Sequence, residues 1–353
     1  MRTVQVIASR GLGGAEGFFN RLCQGLADRG CGVHAVLRQG AALSPALPAA
    51  IPRTLLPLRT VWDPLSRHEL RRELERQRPQ LVQTWMSRAT RLAAVPRGAV
   101  HVARLGGFYK PSRFDHADAL VVNSQGLADH LLAAGLPAKR VHLIGNFVDT
   151  PPDCAGDGLA ELRRALPLPA DAWLLLAAGR CVPVKGWDVL LTAFARLPAR
   201  IGGRPVALLL LGDGPLRPAL QQQAQQLGLS GRVHFAGWQN DPAPYYALAD
   251  LVVFPSREAE ALGNVILEAW AHGRPLLTTA SSGARDLVRP GQDALQVPCG
   301  DAVALAQGID TVLGDDILRL GLAQAGRTRA RRDFDRDAVV GAYLDLYRQL
   351  LGA

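Results

Sequence analysis

Cysteine is scarce in this 353-residue chain: Cys23, Cys31, Cys154, Cys181 and Cys299 are odd in number, widely scattered and form no C-x-x-C pair. That distribution argues against a disulfide framework or a cysteine-built zinc site. Aromatic residues are also few, 6% of the chain, and no nucleic-acid-binding module is recognisable, so nucleic acid is not an expected partner. Long apolar runs are missing. The longest, such as "AWLLLAAG" and "VALLLLG", are strand-length and fall well short of the roughly 18 residues a membrane-spanning helix needs. The opening "MRTVQVIASRGLGG" has no apolar stretch of the kind a secretory signal carries, and reads as a first strand, which predicts a cytoplasmic protein.

The chain is 48% hydrophobic and 20% charged, too much core for one compact unit, so two domains are expected. Its formal net charge of +9 is unevenly spread. Residues 1–150 hold 20 Lys+Arg against 10 Asp+Glu, and the remainder 20 against 21, so the basic character lies in the first half. Such a half suits an acidic partner, either anionic lipid head groups or a phosphorylated substrate.

From residue 3 onward, short apolar stretches alternate with helix-length amphipathic ones: "TVQVIA", "AEGFFNRLCQGLADRG", "CGVHAVLR", and later "AWLLLAAG", "GWDVLLTAFARL", "PVALLLLG" and "DLVVFPS". Buried parallel strands with crossover helices give this pattern, so the fold class is α/β. The alternation breaks in "NFVDTPPDCAGDG", residues 146–158, which places a boundary between domains 1–150 and 151–335. The last stretch, 336–353, spaces Val339, Val340, Tyr343, Leu344, Tyr347 and Leu350 as one helical stripe and is expected to cross back onto the first domain.

Three stretches carry candidate chemistry. In "SREAEALGNVILEAWAHGRP", a strand end leads to Asn264 as an expected helix N-cap, with Gly273 as the carboxyl-terminal cap. The Gly263, Asn264 and Val265 amides then point out of a helix amino terminus, an arrangement that attracts phosphate. Glu268 lies on that helix and Glu260 in the loop before it, at a strand's carboxyl end where open α/β sheets bind ligands. A nucleotide sugar supplies matching groups: diphosphate for the amides, ribose hydroxyls for Glu268, sugar hydroxyls for Glu260. In "AAGRCVPVKGW", Arg180 and Lys185 are cations placed to suit a diphosphate leaving group. In "SRGLGGAEGFF", Gly13 and Gly14 would let backbone approach a phosphate, although Glu16 stands where a dinucleotide fingerprint needs its third glycine. "DFDRD", residues 333–337, overlaps two D-x-D patterns, but it precedes a helix whose amino terminus favours aspartate, and no metal is expected.

Taken in order, "GGAE", "GR(x)₄KG(x)₃L" at 179–190, "GDGPLR" at 212–217, "RVHFAGW" at 232–238, "AD(x)₄PS" at 249–256 and "E(x)₇EA(x)₂HGRP" at 260–275 resemble the family 4 retaining glycosyltransferases of the GT-B fold. The resemblance implies two facing Rossmann-like domains with the donor in the second. It implies Arg180 and Lys185 on the diphosphate, Glu268 on the ribose, Glu260 on the donor sugar, the Gly14 amide closing onto the phosphates, and backbone at Gly237 and Trp238 against the base. It also implies front-face attack, in which the leaving phosphate takes the acceptor's proton, so that neither a protein nucleophile nor a cofactor is required.

The first domain departs from better-known relatives, with "VQTWMSRATR" and "VARLGGFYK" where those carry histidines. "QTWMSRA", "ARLGGFYK" and "NSQGL" resemble the branch that builds bacterial surface polysaccharide, particularly lipopolysaccharide core. Arg88, Arg104, Tyr109 and Lys110 are then candidates for an anionic, lipid-linked glycan acceptor, with the basic domain resting on the anionic inner face of the membrane. UDP is the default base. Two other readings stay open: a nucleotide-sugar epimerase or hydrolase of the same fold, and a non-catalytic nucleotide-sugar-binding protein.

Overall fold

The computed structural model describes residues 1–149, 151 and 157–352. Cys154 and positions 150 and 152–156 of the expected boundary lie outside the described residues. The chain divides into two compact units, one comprising Met1–Phe147 and the segment from Arg336, the other Val148–Asp335.

In the first unit the order is β1 (Arg2–Ile7), α1 (Gly14–Asp28), β2 (Gly32–Arg38), β3 (Arg53–Leu56), α2 (Pro64–Gln77), β4 (Leu81–Trp85), α3 (Met86–Leu92), β5 (Val100–Arg104), β6 (Ala119–Val122), α4 (Gln125–Ala133) and β7 (Val141–Leu143). The second unit follows with α5 (Asp157–Ala165), β8 (Trp173–Ala178), α6 (Trp187–Arg196), β9 (Arg200–Ile201), β10 (Arg204–Leu211), α7 (Arg217–Gln226), β11 (Val233–Gly237), α8 (Ala243–Leu248), β12 (Leu251–Phe254), α9 (Asn264–Ala271), β13 (Leu276–Thr279), α10 (Ser282–Leu287), β14 (Leu295–Val297), α11 (Ala302–Gly314) and α12 (Asp316–Asp333). The last helix, α13 (Arg336–Leu351), belongs to the first unit.

The first sheet runs β3-β2-β1-β4-β5-β6-β7, with every pair parallel. The second runs β11-β10-β8-β12-β13-β14, parallel throughout, with short β9 antiparallel to β10. Both faces of each sheet are covered, which is why strands such as "WLLLAA" and "RPVALLLL" are apolar without alternation. Each sheet starts at an inner strand, grows to one edge and then to the other. The direction therefore switches between β1 and β4 in one unit and between β8 and β12 in the other, and crevices open at the carboxyl ends of such strands.

Helix α13 closes the first core. Val339, Val340, Tyr343, Leu344, Leu346 and Tyr347 are buried, and Leu350 packs at the edge. The Tyr347 hydroxyl donates to Gln83 Oε1 at 2.7 Å, and Trp85 Nε1 donates to Gln5 Oε1 at 3.0 Å, so the polar atoms under the helix are largely paired. Arg336 and Asp337 tie its first turn to Asp28 and Arg29. The "DFDRD" aspartates disperse: Asp333 pairs with Arg329 and Arg332, and Asp337 with Arg29. Among the described residues, Cys23, Cys31, Cys181 and Cys299 are free thiols, and no helix is long and apolar enough to cross a membrane.

Candidate active site

The second unit's site forms where the loops after β8, β10 and β12 meet. β8 ends at Ala178, and the chain turns at Gly179, whose amide donates to the Leu211 carbonyl at 2.9 Å. Gly212 packs so closely against this turn, at φ +145°, that an added β carbon would lie 1.8 Å from the Gly179 carbonyl oxygen. The loop then brings Lys185 back over Gly179 and aims its amine across the switch point.

There Lys185 Nζ meets Glu260 Oε2 at 2.6 Å, with the two side chains 16% and 17% exposed. The Ser256 hydroxyl donates to the same carboxylate oxygen at 3.4 Å, and the lysine amine stands 5.4 Å from the centre of the Phe254 ring. The loop bearing Glu260 is fixed near its start. Arg257 donates through its amide to the Val184 carbonyl at 2.8 Å and pairs with Asp188, while Glu258 pairs with Arg285. Arg180 stands exposed beside this arrangement.

The expected cap of α9 moves by one residue. Gly263, at φ +93°, is the N-cap and Asn264 is the first helical residue. An added β carbon at 263 would lie 2.5 Å from Phe254 Cζ, so the tight left-handed entry over that ring requires glycine. The first-turn amides at Asn264 and Val265 still face the helix amino terminus. Gly273, at φ +61°, follows the last turn as expected, its amide donating to the Trp270 carbonyl at 2.9 Å.

Glu268 is half-buried on α9 and accepts a 2.7 Å hydrogen bond from the Tyr246 hydroxyl. The buried Tyr246 ring stacks on His272 with centroids 5.0 Å apart, and the His272 ring bonds the Glu268 carbonyl at 2.8 Å. Burial lowers the His272 pKa first, against the opposing pull of Glu268. Tyr246 and Ser256 are positions the sequence reading missed: "DPAPYYALAD" marks a short helix but not which tyrosine turns inward. Gly237 closes β11, its carbonyl accepting from the Gly212 amide at 2.8 Å, and the following Trp238 is 44% exposed with its indole donating to Asn240.

In the first unit Gly13 is the N-cap of α1 in extended backbone, and Gly14 opens the helix. Arg88 is exposed and donates to the Ala8 carbonyl at 3.2 Å. Lys110 is exposed, while Tyr109 is half-buried, packing near Phe114 with its carbonyl bonded to His130. Arg104 corrects its expected role as an acceptor contact. It is 1% exposed, donates to Tyr343 and Asn146, and lies with its guanidinium carbon 4.6 Å from the Phe18 ring centre and 4.7 Å from that of Trp85. Its charge is spent inside the core, under α13. Among the described residues no three His, Cys, Asp or Glu side chains gather as a metal site would require.

Two parallel-sheet Rossmann-like units, each with its switch-point crevice, and a terminal helix returning to the first define the GT-B class of fold. Residues 173–315 match the family model described as glycosyl transferases group 1, and residues 12–151 match that of glycosyltransferase family 4. The chain is 37% identical to the lipopolysaccharide core biosynthesis glycosyltransferase LpsE of Rhizobium meliloti, over 95% of each protein. It therefore belongs to the family 4 glycosyltransferases and is an enzyme of that kind. Among solved structures, HepE of Anabaena, in complex with UDP and glucose, superimposes with a TM-score of 0.87 at 23% identity, covering 99% of this chain and 100% of that one. WaaG, a glycosyltransferase involved in lipopolysaccharide biosynthesis, gives 0.77 at 20% identity, covering 98% and 99%.

Proposed function

We propose that this enzyme transfers a sugar, with retention of anomeric configuration, from a UDP-sugar to an anionic lipid-linked glycan during assembly of lipopolysaccharide core or a related surface polysaccharide. The observation that carries the reading is the Lys185–Glu260 pair at the switch point of the second sheet, with the amino end of α9 beside it. A diphosphate arriving there takes Lys185 and Arg180 as counter-charges, which stabilise the leaving group as the glycosidic bond breaks. Glu260 is then released toward the sugar hydroxyls. Glu268, oriented by Tyr246, accepts from the ribose. The base lies against backbone at Gly237 and Trp238. Departing phosphate takes the acceptor's proton, and the cationic side chains replace a metal.

The enzyme works at the inner face of the cytoplasmic membrane as a peripheral protein. Trp62, 79% exposed before α2, stands with the Arg91 guanidinium 5.5 Å from its ring, and Leu65 is exposed one turn on. An amphipathic ring with cations around it suits an anionic lipid interface. Arg88, Tyr109 and Lys110 remain the acceptor candidates. The test is a thermal-shift panel with UDP, ADP, GDP, CMP and their sugar conjugates. Selective stabilisation by one uridine diphosphate ligand, lost in Glu268→Ala, supports the reading; a wild-type chain indifferent to every nucleotide overturns it.

A further inference from the structure

We propose that Arg10, Arg38, Arg59 and Arg88 form a phosphate-binding site for the acceptor, at the carboxyl ends of β1, β2, β3 and β4. The proposal rests on the transferase reading and narrows its acceptor to a phosphorylated glycan.

The four residues come from separate segments that the sheet brings together. Ile7 at the end of β1 pairs with Leu37 on one side and Trp85 on the other, and Arg38 pairs with Leu56. Arg38 ends β2; Arg10, Arg59 and Arg88 each follow their strand by three residues. They thus straddle the β1/β4 switch point of the first sheet, where an α/β unit opens its binding crevice. The arginines sense one another: burial first, then the charges of Arg10, Arg88 and Arg59, draw the Arg38 pKa below its ordinary value.

Among the described residues no carboxylate lies within ion-pairing distance of any of the four, although other arginines of the same unit are matched, as in Arg29–Asp337, Arg76–Glu73 and Arg336–Asp28. The acid nearest Arg59 in the chain, Asp63, accepts from the Ser66 hydroxyl at 2.6 Å and, although the Arg59 charge helps to lower its pKa after that hydrogen bond, it forms no ion pair with the arginine. Arg38 Nε is buried and has no hydrogen-bond partner. A buried donor of a charged group without an acceptor is costly, and gathered guanidinium groups repel. A dianion answers both deficits, because phosphate oxygens accept from several planar forks at once. The donor diphosphate has its own cations in the other unit. A flat lipid surface is a poor match for a buried nitrogen, so the phosphate is assigned to a glycan that enters the crevice.

The test titrates inorganic phosphate into full-length protein saturated with UDP, which blocks the donor site. The wild type should bind one saturable phosphate. Arg38→Gln should weaken that binding about tenfold or more while leaving UDP affinity unchanged. The double variant Arg10→Gln/Arg59→Gln, altered only at exposed side chains, should do the same and guards against misfolding of the first. Absence of saturable binding in the wild type, or equal binding in the properly folded variants, overturns the proposal. So does a cluster whose variants keep phosphate binding but lose attachment to phosphatidylcholine vesicles doped with phosphatidylglycerol, which would make it a head-group surface. If wild-type protein fails to bind UDP, the transferase reading falls, and the same phosphate titration on Lys185→Ala still reads the arginine cluster separately.

Discussion

Lys185 Nζ lies 2.6 Å from Glu260 Oε2, tying the loop after β8 to the loop after β12 across the switch point of the second sheet. The lysine is thus held in place by a carboxylate, which the proposed diphosphate would have to displace. Lys185→Ala should lower kcat by about 10²–10³-fold, the range for removing one charge-stabilising donor, with a smaller change in donor affinity. Steady-state release of nucleotide from a sugar donor measures both, and a wild-type kcat would exclude Lys185 from the leaving-group site.

Glu268 and Tyr246 form a second tie, joined at 2.7 Å. Glu268→Ala should weaken UDP binding by about tenfold or more, through loss of charged acceptor bonds to the ribose. Tyr246→Phe keeps the carboxylate but frees its orientation, so its loss should be smaller. Calorimetric titration of UDP against both variants checks the order.

Gly212 packs where no other residue fits. Gly212→Ala places a methyl group 1.8 Å from the Gly179 carbonyl oxygen at a backbone angle of +145°, so the turn bearing Arg180 and Lys185 must shift. A loss of about 2 kcal/mol or more is expected from the combined clash and strain. Urea unfolding would measure it, with nucleotide binding falling in parallel.

His101 sets a pH dependence in the first unit. Burial first, then the nearby His116, brings its pKa down from 6.5 to about 4 in the folded chain, where it is hydrogen-bonded to Thr84. Between those values the unfolded chain binds the proton more readily. The contribution is therefore complete above about pH 6.5 and lost as pH falls toward 4, by roughly 3 kcal/mol in all. His101→Gln should unfold with a shallower acid dependence than wild type in denaturant titrations across that window.

The α/β class was legible because leucine-rich runs such as "WLLLAA" admit only a strand buried on both faces, and the stripe Val339–Tyr347 only a helix with a core to cover. Glu260, Glu268, Arg180 and Lys185 could be picked out singly. What sequence spacing does not carry is which partner a side chain finds across the sheet. Lys185 was read as a diphosphate ligand without its glutamate, and Tyr246 was passed over. The spacing does not place Arg104 because an arginine at a strand's carboxyl end ordinarily faces solvent, whereas here Tyr343, far along the chain, meets it in the core. The arginine cluster at β1–β4 was hidden for the same reason, since only the strand order assembles it.

The return of α13 to the first unit also fixes the sequence of events during synthesis. Domains ordinarily fold in the order in which they leave the ribosome. Here the first sheet emerges before the second, but the core face and polar atoms that Tyr343 and Tyr347 cover stay open until the segment from Arg336 is made. The second unit, contiguous from Val148 to Asp335, holds its whole core before then. The unit whose sheet is made before the other's is completed after it, and a chain stopped short of Arg336 would leave that unit open.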